Sequence, residues 1–216
     1  MIKTVIFDID GVLLDSLNSN RVYINDMLKI AGYPPLTKHQ YSQMYHLSLW
    51  DVIKWVTRLR SRQKIQKIHD IIKTIPDQPQ HYAKITPRAI TTLQTLYKRY
   101  KLALVSNRTR QNIVGDDFEL APQVKKYIST IIAFEDTKHH KPHPEPLLLA
   151  AKRLKVKPQE CVYIGDARSD VHAAKAARMK VIIYGPTRIK GADCSTKIFA
   201  KIPGLIRTLD KRISSD

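Results

Sequence analysis

The sequence predicts an α/β protein, with a parallel β-sheet core and an all-helical segment inserted after the first strand. Short runs of consecutive apolar residues alternate with segments whose apolar residues recur every three or four positions. Strands of a parallel sheet carry such continuous runs because helices cover both faces of the sheet. Between residues 17 and 83 only the helical spacing is present. The chain has 216 residues, 43% of them hydrophobic, which is enough for a sizeable core.

The first strand and the helical insert account for the first 83 residues. The run IKTVIFDIDGVLLDS, residues 2–16, passes abruptly from apolar residues to aspartates and a glycine, which predicts a buried strand and a tight loop. Residues 16–83 then predict helices separated by Gly32, the prolines at 34 and 35, and Pro76. Their apolar positions are Leu17, Ile24, Met27, Leu28 and Ala31, then Tyr41, Met44 and Tyr45, then Leu49, Val52, Ile53 and Val56, and finally Ile65, Ile68, Ile72 and Ile75.

From residue 84 onward, predicted strands and helices alternate. The strands are Leu102–Val105, Ile131–Phe134, Cys161–Ile164 and Val181–Tyr184. The helix from Thr86 places Ile90, Leu93, Leu96, Tyr97 and Tyr100 inward, the helix from Pro146 places Leu147, Leu148, Ala151 and Leu154 inward, and further helices contain Val171, Ala174 and Ala177 or begin at Pro203. We therefore predict a Rossmann-like core of residues 1–15 and 84–216, with the helical domain at 16–83.

The composition is strongly basic, with 37 Lys and Arg against 19 Asp and Glu and a net charge of +18. Such a charge raises nucleic acid and anionic membranes as partners. Residues 16–83 carry ten basic and four acidic residues, so the charge is spread evenly and indicates a generally basic surface. The densest stretch, from Lys54 to Lys67, is interpreted as an exposed helix face, from which one residue could bind a second anionic group of a substrate.

The sequence indicates a cytoplasmic protein without a membrane partner. Cys161 and Cys194 are too few for a disulfide framework, and Cys161 opens an apolar run, which predicts a buried free thiol. No apolar stretch approaches the roughly 18 residues that a membrane span needs. The first predicted strand begins at Ile2, so we expect no signal peptide.

Polar residues follow the predicted strands at the edge where a parallel sheet places its ligand site. They are Asp8 and Asp10 after the first strand, Ser106 and Asn107 after the second, Lys141 in the loop after the third, and Asp166 and Asp170 after the fourth. Phosphoryl transfer requires these group types, namely a nucleophile, an acid/base, a cation and carboxylates for Mg²⁺. The hydroxyl and backbone N–H groups of Ser106 and Asn107 suit a phosphate oxygen.

On these motifs the chain resembles the haloacid dehalogenase superfamily, in particular its capped Mg²⁺-dependent phosphatases. The first motif, DxDG(T/V)(L/I)xDS, is matched by residues 8–16, and the second, a Ser or Thr after an apolar strand, by Ser106. The third, a Lys in KPxP, is matched by residues 141–144, and the fourth, GDxxxD, by residues 165–170. Phosphoglycolate phosphatase is the most similar in general pattern, although the insert does not single it out.

The resemblance implies catalytic and metal-binding roles. Asp8 attacks phosphorus and becomes an aspartyl phosphate, while Asp10 protonates the leaving oxygen and then activates water. Asp8, Asp166 and the main-chain carbonyl of Asp10 hold Mg²⁺, with Asp170 in support. The physical argument agrees, because clustered carboxylates repel one another unless a cation lies between them.

The resemblance also implies that Ser106 and Lys141 bind the transferring phosphoryl group and that residues 16–83 form a cap over the site. The predicted function is therefore Mg²⁺-dependent hydrolysis of a small phosphate monoester, such as a phosphoglycolate-, sugar- or nucleotide-like metabolite. The acid at Asp10 argues against a dehalogenase, whose leaving halide needs no proton. A phosphomutase of the same superfamily and a non-catalytic basic nucleic-acid-binding protein are the alternatives. We expect no nucleic-acid partner, and a monomer or a homodimer.

Three features depart from the pattern or lie outside it. Arg178 stands where the family often has glycine after the fourth-motif helix, at a cost of ~1 kcal/mol if its backbone is left-handed. Arg108 follows Asn107 where many relatives have Lys, and no role is assigned to it. The histidines at 139, 140 and 143 are interpreted as solvated loop residues, because no second spaced ligand cluster accompanies them.

Overall fold

The computed structural model of the protein describes residues 1–44, 49–71, 74–75, 84–114 and 120–213. The chain divides into two compact units. The core unit comprises residues 1–15 and 85–216, and the helical unit comprises residues 16–84. Within the described residues, no helix combines the length and the apolar character that crossing a membrane requires.

The strands and helices of the described residues are as follows. The strands are β1 Thr4–Phe7, β2 Leu14–Asp15, β3 Lys84–Ile85, β4 Lys101–Val105, β5 Thr130–Ile132, β6 Cys161–Gly165, β7 Lys180–Tyr184 and β8 Cys194–Thr196. The helices are α1 Leu17–Ile30, α2 Lys38–Met44, α3 Leu49–Thr57, α4 Arg62–Ile71, α5 Ala89–Tyr97, α6 Gln111–Val114, α7 Leu120–Lys125, α8 Glu145–Leu154, α9 Arg168–Ala176 and α10 Ile202–Ile213.

The core unit contains a six-stranded parallel sheet in the order β5-β4-β1-β6-β7-β8. β1 lies at its centre, with Thr4 opposite Lys101 of β4 and opposite Cys161 of β6. The chain proceeds to β4 and β5 on one side of β1 and to β6, β7 and β8 on the other. Such a reversal of strand order opens a crevice beyond the carboxyl ends of the strands, which is where ligands of these sheets bind. The predicted α/β fold with a parallel sheet is therefore confirmed.

The sheet is buried against helices, as continuous apolar strands require. Ile6, Ala103 and Val181 share one hydrophobic cluster with Leu147 of α8 and Ala174 of α9. A ring pair from Phe7 of β1 and a phenylalanine near the chain end, Phe199, has centroids 6.3 Å apart. Cys161 is buried as a free thiol, and burial raises its pKa to about 12. The apolar residues of the strands thus form the hydrophobic core that their pattern in the sequence predicts.

Three details of the predicted core are wrong. Tyr97 and Leu148 are exposed, because each follows a buried leucine by one position and one helical residue turns the side chain by about 100°. β5 ends at Ile132, so Phe134, which was predicted in that strand, lies exposed in a short 3-10 helix. That a residue is apolar does not show whether its side chain lies on the buried face of a helix or strand or beside that face.

The sequence patterns missed the shortest elements. β8 is a three-residue edge strand of half-buried residues, and α6 and α7 have four and six residues. The segments β2 and β3 pair as a two-stranded sheet. None of these elements is long enough to show a hydrophobic period.

The helical unit is built by α1 to α4, whose buried residues form a hydrophobic cluster of their own that includes Met27, Met44, Ile53 and Ile65. Gly32, with a φ of 78°, follows α1, and the N–H of the next residue, Tyr33, donates to Leu28 at 2.8 Å. This is the left-handed helix end at which glycine is favoured. The predicted apolar positions Tyr45 and Ile72 lie outside the described residues.

Arg178 adopts the left-handed conformation that the family's usual glycine at this position implies, with a φ of 59°. The N–H of the following residue, Met179, donates to Ala174 at 2.8 Å, and the Arg178 N–H donates to Lys175 at 3.0 Å. These two hydrogen bonds end α9 with a residue in the left-handed conformation, and that residue is usually glycine. The backbone strain is therefore located at Arg178, directly after the helix that begins in the fourth motif.

Candidate active site

The predicted site residues gather where β1, β4 and β6 end. Because these strands are parallel neighbours, the loops that follow them meet at one edge of the sheet. The hydrogen bonds described below link Asp8, Lys141 and Asp170 to one another, and Asp10 to the loop that carries Ser106. Asp166 offers a carboxylate oxygen within 4.8 Å of ligand atoms of Asp8 and Asp170.

Lys141 lies at the centre of this arrangement. Its Nζ donates to Asp8 Oδ2 at 2.7 Å, to Asp170 Oδ1 at 2.8 Å and to the Tyr163 hydroxyl at 2.9 Å. The side chain is only 5% exposed. Burial opposes its charge, but Asp170 and Asp8 outweigh that effect and raise the pKa of Lys141 well above its ordinary value. Lys141 is therefore a fixed ammonium group placed against two carboxylates.

Asp170 uses both of its oxygens inside the protein. Oδ2 accepts hydrogen bonds from the N–H groups of Asp166 and Ala167, each at 3.0 Å, and Oδ1 accepts from Lys141 and from Tyr163 at 3.2 Å. Burial alone would raise the pKa of Asp170, but Lys141 and these N–H groups hold it below its ordinary value. Asp170 thus stabilises the turn that contains Asp166. A Cβ at Gly165 would collide with Asp170, so that turn requires glycine.

Among the acids of this site, Asp8 and Asp166 are those whose pKa values are raised. Burial raises the pKa of Asp8 to about 7 even though Lys141 opposes the shift. Burial and the charges of Asp8 and Asp170 raise the pKa of Asp166 to about 8. Gly11, with a φ of 68°, lets the first loop approach Asp166 so closely that any Cβ there would collide with its carboxylate.

These acids form a set of oxygen donors suited to a hard divalent cation. Asp8, Asp166 and Asp170 each place one oxygen within 4.8 Å of the others. Asp170 accepts four hydrogen bonds, whereas Asp8 accepts two, from the Ile9 N–H at 2.8 Å and from Lys141 at 2.7 Å. Asp170 is therefore the carboxylate of the three that is least able to turn toward a cation. An all-oxygen set of this kind fits Mg²⁺.

Asp10 forms a two-point ion pair with Arg108, which the sequence analysis left without a role. Arg108 Nε donates to Asp10 Oδ2 and Nη2 donates to Oδ1, both at 2.6 Å. The Arg108 side chain is 13% exposed and that of Asp10 is 35% exposed. Burial would lower the pKa of Arg108, but the pairing with Asp10 outweighs it and raises the pKa. No local signal identifies this contact, since 98 residues separate the partners.

Ser106 and Asn107 lie in the loop that follows β4, and this loop contacts both Asp10 and Lys141. Ser106 is buried, and its Oγ accepts a hydrogen bond from the Arg108 N–H at 3.2 Å. Asn107 is exposed, with Nδ2 3.5 Å from the Lys141 carbonyl oxygen. Both residues therefore adjoin groups of the site.

Tyr163 is a further site residue that sequence reasoning placed only in a strand. Its hydroxyl lies 3.5 Å from the Val105 carbonyl oxygen, in addition to its contacts with Lys141 and Asp170. The side chain is completely buried. A single hydroxyl within an otherwise apolar, fully buried strand was the available signal, because such a group needs hydrogen-bond partners.

Two other clusters lie outside this site. His139, His143 and Glu145 are at the surface, and Glu145 Oε2 lies 2.9 Å from His139 Nδ1. In the helical unit, Lys54, Arg60 and Arg62 are exposed and line a cavity of about 560 Å³. His139, His143 and these basic residues are thus surface groups, as predicted. Glu145, which the sequence analysis did not consider, joins the two histidines in a set whose possible ligand atoms lie within 4.8 Å of one another.

Comparisons with known proteins agree with the geometry. Residues 5–184 match the family described as haloacid dehalogenase-like hydrolase. The chain is 30% identical over 200 residues to the phosphoglycolate phosphatase of Escherichia coli strain K12, covering 82% of this chain and 78% of that protein. It is 28% identical over 202 residues to pyrophosphatase PpaX of Bacillus mycoides, covering 88% and 86%. A HAD-superfamily hydrolase of subfamily IA from Geobacter sulfurreducens shares the fold, with a TM-score of 0.74, 23% identity and coverage of 94% and 96%.

Proposed function

The chain belongs to the haloacid dehalogenase-like hydrolase family, and from that membership we propose that it is a Mg²⁺-dependent phosphatase acting through an aspartyl phosphate on Asp8. The observation that carries the proposal is the contact of the buried Lys141 ammonium with both Asp8 and Asp170. A cation held against a nucleophilic carboxylate is suited to receive the negative oxygens of a phosphoryl group.

The donor set supports the metal requirement. Asp8, Asp166 and the main-chain carbonyl of Asp10 would hold Mg²⁺, while Asp170 supports the turn that carries Asp166. When bound, the cation would offset the charge of the phosphoryl oxygens and favour the ionised form of Asp8. The raised pKa values of Asp8, about 7, and Asp166, about 8, support this role, because burial disfavours the ionised form of both carboxyls and a bound cation would favour it.

In the proposed first step, an Asp8 oxygen attacks phosphorus while Lys141 and Ser106 hold the phosphoryl oxygens. The bond between phosphorus and the ester oxygen breaks, and Asp10 donates its proton to that oxygen. In the second step, Asp10 accepts a proton from water as the water oxygen attacks phosphorus. The bond to Asp8 then breaks and releases inorganic phosphate.

The proposed substrate is a small phosphorylated metabolite. The relatives named phosphoglycolate phosphatase and pyrophosphatase PpaX act, by those names, on compounds in which a small anion carries the phosphoryl group. We extend this class to the present chain without choosing between its members. We further propose that residues 16–83 form a cap that limits the access of water and selects the substrate.

Phosphate release from p-nitrophenyl phosphate tests the proposal. The assay compares Mg²⁺ with EDTA, and wild type with Asp8→Asn and with the control Asp26→Asn, which neutralises an exposed aspartate of the helical unit. We expect metal-dependent release in wild type and the control, and a loss of at least ~100-fold in Asp8→Asn. Undiminished release by Asp8→Asn would refute the aspartyl phosphate. Conversion of a sugar phosphate into its isomer without free phosphate would favour the phosphomutase instead.

A further inference from the structure

The Arg108–Asp10 pair engages both oxygens of the proposed acid/base. We propose that Arg108 recognises a second anionic group on the leaving portion of the substrate, and that this group replaces Asp10 on the guanidinium. The replacement removes the guanidinium from Asp10, which then takes up a proton from solvent and donates it to the leaving oxygen. The inference rests on the proposed phosphatase function and deepens it by naming the substrate class and the residue that selects it.

The geometry of the pair makes such an exchange chemically reasonable. Arg108 presents two N–H groups in parallel to Asp10, at 2.6 Å each. The same fork fits any planar carboxylate or a phosphate with two oxygens side by side. An incoming anion therefore offers Arg108 the same two hydrogen bonds that Asp10 provides, whereas a neutral group does not.

The contacts of Arg108 place this fork beside the proposed acid/base, Asp10. Its backbone N–H donates to Ser106, a proposed phosphoryl-binding residue, and its side chain reaches Asp10, two residues beyond the proposed nucleophile Asp8. The ester oxygen must come close to Asp10 in order to receive its proton. A carboxylate or second phosphoryl group attached next to that oxygen is consequently brought to the guanidinium.

The energetics favour anionic substrates for the same reason. The Arg108 side chain is only 13% exposed, so its guanidinium is costly to leave unpaired. A neutral substrate that frees Asp10 breaks this two-point ion pair and brings no negative charge in its place. An anionic substrate frees Asp10 while the guanidinium stays paired. The second anion therefore contributes to the chemical step as well as to binding, and we expect its effect in kcat as well as in KM.

The test compares phosphoglycolate with its primary amide, which has nearly the same size but no carboxylate charge. Steady-state kcat and KM are measured for wild type, Arg108→Gln, Arg108→Lys and the control Arg110→Gln. Arg110 lies two residues along the chain and pairs with Asp136 instead. We expect Arg108→Gln to lower the ratio of kcat/KM for the acid over the amide by roughly 10- to 100-fold, the range for losing a charged hydrogen-bonded pair. The control should retain the wild-type ratio.

Arg108→Lys keeps the charge and loses the fork, so we expect a ratio between those of wild type and Arg108→Gln. It also provides the answer if Arg108→Gln does not fold, which circular dichroism establishes. A ratio that neither Arg108 variant changes would overturn the inference, and a change confined to KM would overturn the release of Asp10. If wild type released no phosphate from either ester or from p-nitrophenyl phosphate, the proposed function would fall, and this inference with it.

Discussion

Replacing Lys141 with methionine should destabilise the core unit and disable the site together. Methionine keeps the approximate length of the side chain but removes the ammonium that donates to Asp8, Asp170 and Tyr163. The two carboxylates then remain buried without their cation. Breaking a buried ion pair by removing one partner costs about 3–5 kcal/mol, which we expect for the free energy of unfolding at pH 8 in EDTA.

The loss should depend on pH with a definite sign. Without Lys141, we expect the pKa of Asp8 to rise further and that of Asp170 to rise above its unfolded value near 3.8. A carboxyl whose pKa is raised in the folded protein binds more protons there than in the unfolded chain. Lowering the pH from 8 toward 5 therefore restores part of the stability that Lys141→Met loses.

Urea unfolding followed by circular dichroism at pH 5, 6, 7 and 8 in EDTA measures both effects. The matched control is Lys175→Met, since Lys175 also pairs with an aspartate, Asp193, but is 41% exposed. An exposed pair of this kind contributes about 1 kcal/mol or less. Equal losses in the two variants, or a loss for Lys141→Met that does not change with pH, would refute the reasoning. Phosphate release should also fall by about 100-fold or more in Lys141→Met and remain near wild type in the control.

Three further predictions concern the same unit. Tyr163→Phe removes the buried hydroxyl that contacts Lys141, and we expect a loss of about 1–2 kcal/mol in urea unfolding together with lower kcat; unchanged stability and kcat would contradict it. Arg178→Gly should stabilise the protein by about 1 kcal/mol, because glycine adopts the left-handed backbone without steric cost, and a lower melting temperature would count against this account. In EDTA, the free energy of unfolding of the wild type should fall as the pH rises from 6 to 8, because the raised pKa values of Asp8, about 7, and Asp166, about 8, let the folded state bind more protons than the unfolded chain. Excess Mg²⁺ should flatten this pH dependence. A flat profile in EDTA would argue against the prediction.

The residues of the proposed site were accessible to sequence reasoning because their signals are local. Asp8 and Asp166 each follow a continuous apolar strand directly, and the parallel arrangement of strands determines that such ends meet. The left-handed backbone of Arg178 was implied by the family resemblance, because relatives often have glycine at this helix end. In each case a short stretch of chain contains the whole physical cause.

The details that sequence reasoning missed depend on contacts between distant parts of the chain. Arg108 and Asp10 are 98 positions apart, and Lys141 and Tyr163 are 22 apart. Tyr97 was predicted inward because an aromatic residue adjoins a buried leucine, yet the neighbours that α5 meets decide which face is covered. The spacing of apolar residues shows that a helix has a buried face. It defines where that face ends, as an angle around the helix axis, only to within several tens of degrees.

By itself, the sequence determined the α/β fold class, the predominantly helical segment after the first strand, and the loops at which acidic and basic groups collect. Apolar spacing and strand-end chemistry suffice for these, since both act within a few residues. Only the tertiary structure decided how the charges share partners. It joins both Asp170 oxygens to Lys141, Tyr163 and backbone N–H groups, and it pairs Asp10 with Arg108. Hydrogen bonds and charge compensation depend on distances of a few ångströms between groups far apart in sequence, and those distances exist only in the folded chain.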